Sequence, residues 1–347
     1  MLKRVDYYIL KNLALSFVVS FLIITLIMII GDIVKIYDIL FSEGSSLGFI
    51  FKVLFDTAVF LSVFTIPMAL TIAVNYVYSD MSLNSEITAF RSSGISLVRV
   101  YFPAFLLSLF VFVLMIYDIG FLANSSKFNY KTELTKALKG KIYLALKPNT
   151  FYDKLDGVLW AKELSADRKK LKEVFFSNKN QVFVAKRSVL SDLNNGILAT
   201  FFDVKMYSEK KGIVEYGSFD VYKVAFLVTK SNIYNKNEPR FMNVVELYNL
   251  FKKTHNPEAL FEIHRMIALS LSVFMLSLVA FGFGINFARS GKSAGIVLSL
   301  FIFFAYYILY SIAKTFYHAH HIFWPLYLPD IILAALGFYI FLKKIRV

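Results

Sequence analysis

Long runs without a single charged residue dominate both ends of this sequence. A helix needs about 20 apolar residues to cross the hydrocarbon core of a bilayer, and five uncharged segments are near that length. A sixth segment contains two prolines and one aspartate. The six segments are residues 13–30, 57–79, 100–117, 266–288, 293–313 and 324–342. The sequence therefore predicts a membrane protein with six transmembrane α-helices, the last opened by Pro329, because proline is tolerated in a first helical turn.

The orientation of the helices follows from the short loops between them. The first apolar run is expected to be a retained helix, since it is too long for a cleaved signal peptide and no A-x-A-like site follows. Basic residues flank the runs on one predicted side, at Lys3, Arg4, Lys11, Arg91, Arg99, Arg289, Lys292, Lys343, Lys344 and Arg346. Short loops rich in lysine and arginine stay in the cytoplasm, so both termini are expected there.

The middle of the chain has a different character, because charged residues crowd residues 125–258. Short strand-like runs occur at 158–162, 173–176, 181–185, 196–207 and 212–225, with turn signals at 154–157, 178–180, 194–196 and 209–212. This pattern predicts a β-rich sandwich, jelly roll or open sheet. We therefore expect membrane blocks at 1–124 and 259–347, with an outward-facing β-rich domain at 125–258 inserted between helices 3 and 4.

Several function classes are disfavoured by composition. The net charge of +14 lies largely beside the apolar runs and in the middle segment, without an arginine-rich motif, so a surface facing anionic lipid is favoured over nucleic acid. The chain has no cysteine, which excludes disulfides and thiolate metal sites.

Two further motifs are interpreted without a cofactor. Residues 291–293 read Gly-Lys-Ser, but a phosphate-binding loop needs a glycine where Asn286 stands, and it must follow a strand. A metal site is conceivable at His318, His320 and His321. An interfacial loop is the favoured interpretation, because no carboxylate stands at a supporting spacing. We therefore expect no catalytic site, no metal and no cofactor.

The loop after the second predicted span, residues 80–96, has the features of a short helix. Asn84 or Ser85 can cap it, Glu86 is well placed in its first turn, and Gly94 is suited to end it. An apolar side and a charged side are formed at helical spacing by Ile87, Phe90 and Arg91. Such a helix either lies in the membrane interface or inserts into a cleft on a cytoplasmic partner.

Six short segments carry a resemblance to a known family. They are YILK at 8–11, IPMAL at 66–70, SEI at 85–87, SSGIS at 92–96, EIHRMIAL at 262–269 and RSGKSAG at 289–295. Together they resemble the LptF/LptG lipopolysaccharide export permeases, in family order and on both sides of the insert. Residues 264–265 and 290–293 are more similar to the LptF branch, which we favour over LptG.

The resemblance implies an architecture and a set of partners. It implies a non-catalytic, multi-pass inner-membrane subunit with a jelly-roll-like periplasmic domain. Its partners would be a second LptF/LptG-type permease in a heterodimer, a cytoplasmic LptB-type ATPase dimer and an LptC-type periplasmic bridge protein. The cargo would be lipopolysaccharide.

The resemblance also implies roles for four residues. A coupling helix at about 80–94 would place Glu86 against the ATPase, with Arg91 near the same face as a second contact; the alternative for Glu86 is a capping carboxylate alone. Lys35 followed by Asp38 matches the LptG-branch arrangement that contacts lipid phosphates, and a cation at the outer interface attracts such groups. The alternative is an ordinary interfacial lysine paired with Asp38.

Two functions from other classes remain open. An ion-coupled secondary transporter needs ionisable groups or broken helices at mid-membrane. The five uncharged runs offer none, and Asp330 is expected near the outer interface. A membrane-anchored assembly factor or sensor is the third interpretation.

Overall fold

The computed structural model describes residues 2–40, 46–153, 157–178, 181–193, 196–210, 213–227, 236–286 and 292–345. The chain divides into two compact units. The first, which we call the membrane unit, comprises Met1–Asp32, Leu54–Lys127 and Asn237–Val347. The second, the sheet unit, comprises Ile33–Val53 and Phe128–Lys236.

Helices α1 to α5 precede the sheet and α6 to α9 follow it. Their bounds are α1 Leu2–Leu40, α2 Leu47–Leu83, α3 Glu86–Ser92, α4 Leu97–Tyr117, α5 Asn124–Ala145, α6 Val244–Thr254, α7 Pro257–Asn286, α8 Lys292–His320 and α9 Leu328–Ile345. A π-helical turn, Asp118–Ala123, joins α4 to α5. Single 3₁₀ turns at Pro239–Phe241 and Trp324–Tyr327 precede α6 and α9.

Among the described residues, six helical segments are long and apolar enough to cross a membrane, as predicted. They are Arg4–Tyr37, Leu47–Leu83, Leu97–Ala145, Pro257–Ile285, Gly295–His320 and Trp324–Lys343. Most are longer than the uncharged runs in the sequence, because their ends carry charged residues that a helix tolerates outside the hydrocarbon core. Pro329 lies in the first turn of α9, as expected.

At the centre of the membrane unit, polar residues of α2 contact α7 and α8 where those helices carry glycines. Asn75 donates its side-chain amide to the carbonyl of Ala280 at 3.4 Å, and the Ser79 hydroxyl donates to the carbonyl of Gly284 at 3.3 Å. A side chain at Gly284 or Gly295 would meet atoms of Asn75 at 3.0 or 2.6 Å. Close backbone approach through small residues and interhelical hydrogen bonds is the usual way that membrane helices associate, and these contacts join α2 to α7 and α8 within the core.

The segment between the third and fourth spans begins and ends in helix, which the sequence analysis did not predict. Helix α5 continues the third span through the π-helical turn, and α6 is closed at its start by a reciprocal capping box between Asn243 and Glu246. The strand-like pattern in the sequence starts only at residue 158, because α5 before it is rich in Lys, Leu and Ala, which favour helix.

Five antiparallel strands form the sheet in chain order, so the described part of the sheet is a meander. The strands are β1 Val158–Leu164, β2 Lys170–Ser177, β3 Gln181–Leu193, β4 Gly196–Lys210 and β5 Ile213–Leu227. Each corresponds to one strand-like run of the sequence, and the predicted β-rich character is confirmed. The strands are longer than the runs, because the alternation of apolar and polar residues continues beyond the runs. We call it a change of phase where this alternation shifts by one residue.

That change of phase follows one row across the sheet. The constant register places five charged residues in this row, one on each strand: Lys162, Glu173, Lys186, Asp203 and Asp220. On β2 and β3 two consecutive residues are exposed at the row, with buried residues on either side. The residues at the row on β2 and β4 have positive φ values of 48° and 54°. The sheet therefore bends here, and on β2, β3 and β4 both halves of the strand bury apolar side chains in one core.

Candidate functional site

The turn between α2 and α4 contains the predicted short helix α3, but its start differs from the prediction. Ser85 has a left-handed backbone, with φ of 60°, and no side-chain cap bond is found for the described helix. Asn84 donates instead to Asp80 at 3.3 Å. Ser85 contributes only its carbonyl, which accepts the Ala89 N–H at 2.9 Å. The predicted side-chain cap is therefore wrong, because a residue in the left-handed region does not have the extended backbone of an N-cap.

The end of α3 is the glycine stop that the sequence predicts. Gly94 has φ of +80°. Its N–H donates to the carbonyl of Arg91 at 3.0 Å, while the Ile95 N–H donates to the carbonyl of Phe90 at 2.9 Å. This pair of bonds is a Schellman motif, and glycine adopts the required left-handed backbone at little cost.

Helix α3 uses its apolar side within this chain. Ile87 is 4% exposed and belongs to the core of the membrane unit, and Phe90 packs against the same core. The side chains of Thr88, Ala89 and Arg91 are exposed. The apolar side therefore holds the helix on the membrane unit, and the surface left for a partner is mainly polar.

Glu86 and Arg91 do not share a face. Residues five apart on an α-helix are about 140° apart around its axis. Glu86 is half-buried and accepts a long hydrogen bond from the Tyr8 hydroxyl at 3.4 Å. Arg91 is exposed and lines a hollow of about 290 Å³ together with residues 94–98. The expectation that both lie near one face is not met, so they provide a carboxylate and a guanidinium on two sides of one short helix.

The base of this turn is fixed to the start of α1. Arg99, near the start of α4, forms an ion pair with Asp6, and the Arg99 N–H donates to the hydroxyl of Ser96 at 3.3 Å. Sequence reasoning missed the roles of Asp6 and Tyr8, which lie 93 and 78 residues from their partners. The resembling segment at 8–11 included Tyr8, but nothing in one sequence indicates such distant pairs.

The predicted lipid-contact residues belong to the other end of α1. Lys35 lies inside α1, which runs to Leu40, although it follows the first uncharged run of the sequence, residues 13–30. Its side chain is exposed. The side chain of Asp38 lies outside the described residues, so the pairing of Lys35 with Asp38 stays a prediction. Residues of this end of α1 pack on Val53 in a small apolar cluster of the sheet unit.

The histidine cluster has a carboxylate partner that the sequence analysis did not foresee. His318 Nδ1 lies 3.5 Å from Glu258 Oε1, and both His318 and His320 belong to the last turn of α8 rather than to a loop. No group of three or more metal-ligating side chains occurs among the described residues. Gly291 of the Gly-Lys-Ser motif lies outside them.

Comparison with known proteins gives one family. The model of the family described as "Lipopolysaccharide export system permease LptF/LptG" matches residues 7–343. The match runs across all six spans and the inserted sheet. No match was found among curated proteins.

Proposed function

This chain belongs to the LptF/LptG family of lipopolysaccharide export permeases, and on that premise we propose that it extracts lipopolysaccharide from the inner membrane under the drive of a separate ATPase. The observation that carries the ATPase role is the construction of α3. Its apolar side is buried in this chain while its charged and polar residues remain accessible. A helix held in this way transmits force from a docked partner to α2 and α4, because it is short and joined to both by tight turns.

We assign the docking role to Glu86, with Arg91 as a second contact on another side of α3. The carboxylate of Glu86 has one long hydrogen bond, to Tyr8, among the described residues, so it retains acceptor capacity for a donor on the partner. The partner would be an LptB-type ATPase dimer in the cytoplasm. The loops rich in lysine and arginine support a cytoplasmic location for this turn and for both termini.

The permease partner is expected on the side of α1 and α8. Only 17% of the most apolar part of the first span is buried, compared with 72% for the second. Helix α8 likewise presents Phe301, Phe304 and Ile308, each more than half exposed. These faces suit lipid or a second LptF/LptG-type permease. Because exposure of apolar area costs about 25 cal/mol per Å², an apolar cavity between two such permeases lowers the cost of moving acyl chains.

The remaining assignments extend the same proposal to the outward side. The domain at 125–258, between membrane blocks 1–124 and 259–347, would lie in the periplasm and pass the lipid to an LptC-type bridge protein. Lys35, with Asp38, would contact the lipid phosphates. We favour the LptF branch on the segments at 264–265 and 290–293.

Reconstitution tests the proposal directly. Vesicles that contain this chain, its permease partner and the ATPase should release lipopolysaccharide to the bridge protein only with ATP, and the purified chain alone should not hydrolyse ATP. Hydrolysis by the chain alone would overturn the division of labour.

One observation favours a second candidate, an ion-coupled transporter. Asp330, in the first turn of α9, is 5% exposed, and Asp118 is also 5% exposed and accepts a hydrogen bond from Ser62 at 2.6 Å. Buried carboxylates within membrane spans often mark ion pathways. Collapse of the proton gradient with ATP held constant distinguishes the two candidates: export continues if ATP is the drive and stops if the gradient is.

A further inference from the structure

A buried carboxyl group and two buried tyrosine hydroxyls lie together where α8 and α9 pack in the membrane unit. Asp330 lies in the first turn of α9, and Tyr306 and Tyr310, one turn apart on α8, are 0% and 7% exposed. The two tyrosine rings stack, with their centres 6.3 Å apart. Both hydroxyls interact electrostatically with the carboxyl group, so the three side chains form one polar cluster in an otherwise apolar core.

The polar atoms of this cluster have no hydrogen-bond partner among the described residues. This holds for both oxygens of Asp330 and for the hydroxyls of Tyr306 and Tyr310, although all four atoms are buried. The Tyr306 hydroxyl is close to the carboxyl group but does not reach hydrogen-bond geometry with it. The neighbouring Tyr307, in contrast, donates its hydroxyl to the carbonyl of Val63 at 3.1 Å. Since buried polar groups are nearly always paired, the four atoms indicate that the cluster holds a ligand.

No basic side chain compensates the charge of Asp330 among the residues that the structure describes. The titratable groups that act on its carboxyl are tyrosine hydroxyls of α8 and of the turn before α9: Tyr306, Tyr307, Tyr310 and Tyr327. Arg265 of α7 acts on Tyr310 but not on the carboxyl. The Nε atom of Arg265 lies 2.5 Å from Glu262 Oε2, so its charge is already offset.

The backbone offsets only part of the charge of a carboxylate at this position. The N-terminal end of a helix carries about half a positive charge, and Asp330 lies in the first turn of α9. Neither carboxyl oxygen accepts a hydrogen bond from an N–H of that turn, and Pro329 has no N–H to donate. An isolated carboxylate inside a membrane protein is costly. We therefore expect one positive charge from outside the chain to complete the cluster.

We propose that Asp330, Tyr306 and Tyr310 bind one monovalent cation, either Na⁺ or a proton. Ser272 of α7 adds an acceptor oxygen beside Tyr306, because its own proton is donated to the carbonyl of Leu269 at 2.7 Å. Carboxylate and hydroxyl oxygens are the ligands that hard cations prefer. One bound charge makes the cluster neutral, whereas a divalent cation would leave a positive charge buried.

The bound cation would join α9 to α8, so the stability of the membrane unit should depend on it. The inference goes beyond the proposed export function. It requires neither ATP-driven export nor movement of the cation across the membrane.

Thermal melting in two series of buffers tests binding and identifies the cation. The protein, purified with its partner subunits, is placed in phosphatidylcholine nanodiscs in N-methylglucamine chloride, whose cation is too large for the cluster. In the first series, Na⁺ replaces N-methylglucamine at constant ionic strength and at about pH 8. In the second series, Na⁺ is left out and the pH is lowered from about 8 to about 5. Wild type is compared with D330N in both series, so the response of every other carboxyl group cancels.

A ligand that binds only the folded state raises the melting temperature. A rise with Na⁺ that is absent in D330N supports the site with Na⁺ as the cation. A rise of wild type relative to D330N on acidification supports the site with the proton as the cation, and a response to both supports competition between them. A constant difference between wild type and D330N in both series overturns the proposal.

Matched variants place the site at this cluster. D330N removes the charge and keeps the shape, so in N-methylglucamine at about pH 8 it should melt no lower than wild type. Y306F removes a hydroxyl beside the carboxyl group, so the affinity for the active cation should fall about tenfold. Y307F removes a hydroxyl committed to Val63, so it should lower the melting temperature without changing this affinity.

The two tyrosine variants decide the question if D330N does not fold. A cation response that persists in D330N, or an affinity in Y306F equal to that in Y307F, would contradict the assignment.

Discussion

Replacement of Ile87 by alanine should release α3 from the membrane unit while the spans stay folded. Ile87 is 4% exposed and is the buried side chain of this seven-residue helix. Truncation of a buried isoleucine to alanine costs about 2–5 kcal/mol. A helix this short is not stable without tertiary packing, so most of the loss should appear as local opening of residues 86–95.

Amide hydrogen exchange measures this opening. The reporters are the N–H groups of Ala89, Gly94 and Ile95, which donate to backbone carbonyls within the turn. Since 1.4 kcal/mol corresponds to a factor of ten, a loss of about 2 kcal/mol should speed their exchange about 30-fold. The control variant is Thr88→Ala, an exposed residue of the same helix, which should change exchange less than threefold. Unchanged protection in I87A would refute the claim that Ile87 anchors α3.

Two further predictions concern packing and pH. Gly284→Ala should destabilise the membrane unit by about 1–3 kcal/mol, because the added Cβ would lie 3.0 Å from the carbonyl oxygen of Asn75. The control is Gly31→Ala, where the added Cβ would have no atom within 4 Å. This control should be neutral or stabilising by up to about 1 kcal/mol. Thermal unfolding of both variants checks this, and equal effects would contradict it. In the sheet unit, a hydrogen bond from Lys169 lowers the pKa of Asp192. The resulting stability is therefore present above the ordinary aspartate pKa of about 3.9 and is lost as the pH falls through the lowered value. Because both side chains are nearly half exposed, this contribution to stability should stay below about 1 kcal/mol. The variant Lys169→Gln should remove this part of the acid dependence of amide exchange in β3. An identical acid dependence in the variant would contradict the pairing.

The membrane spans were predictable because hydropathy alone requires them, whereas their ends were not. Lys35 lies inside α1, since a charged residue is compatible with helix once the helix has left the hydrocarbon core. The five strands were predictable from alternation. The bend at Glu173 and Asp203 was not predictable. It becomes visible only when the register is known and shows that one charged residue from every strand lies in the same row.

The candidate site was predictable only in part. Gly94 has the local signature of a helix stop, and the structure confirms it. Ser85 has the composition of a cap but a left-handed backbone, which residue type alone does not reveal. The bond between Tyr8 and Glu86 and the ion pair between Asp6 and Arg99 depend on tertiary packing. Neither has a local signal in one sequence.

Charge reversal at Glu86 tests the central claim, that energy reaches this chain through α3. The measurement is ATP-dependent release of lipopolysaccharide from vesicles that contain the full complex, with Glu86→Lys compared with wild type and with Glu86→Gln. Because the one described hydrogen bond of the carboxylate is long, at 3.4 Å, the substitution should change the stability of this chain by less than about 0.5 kcal/mol. A desolvated charge at an interface costs about 2 kcal/mol or more when its partner is lost, so Glu86→Lys should weaken ATPase docking about 30-fold or more. The release of lipopolysaccharide should fall with the docking. Release by Glu86→Gln should lie between that of wild type and that of Glu86→Lys. Wild-type release by Glu86→Lys, with the ATPase still docked, would contradict the account.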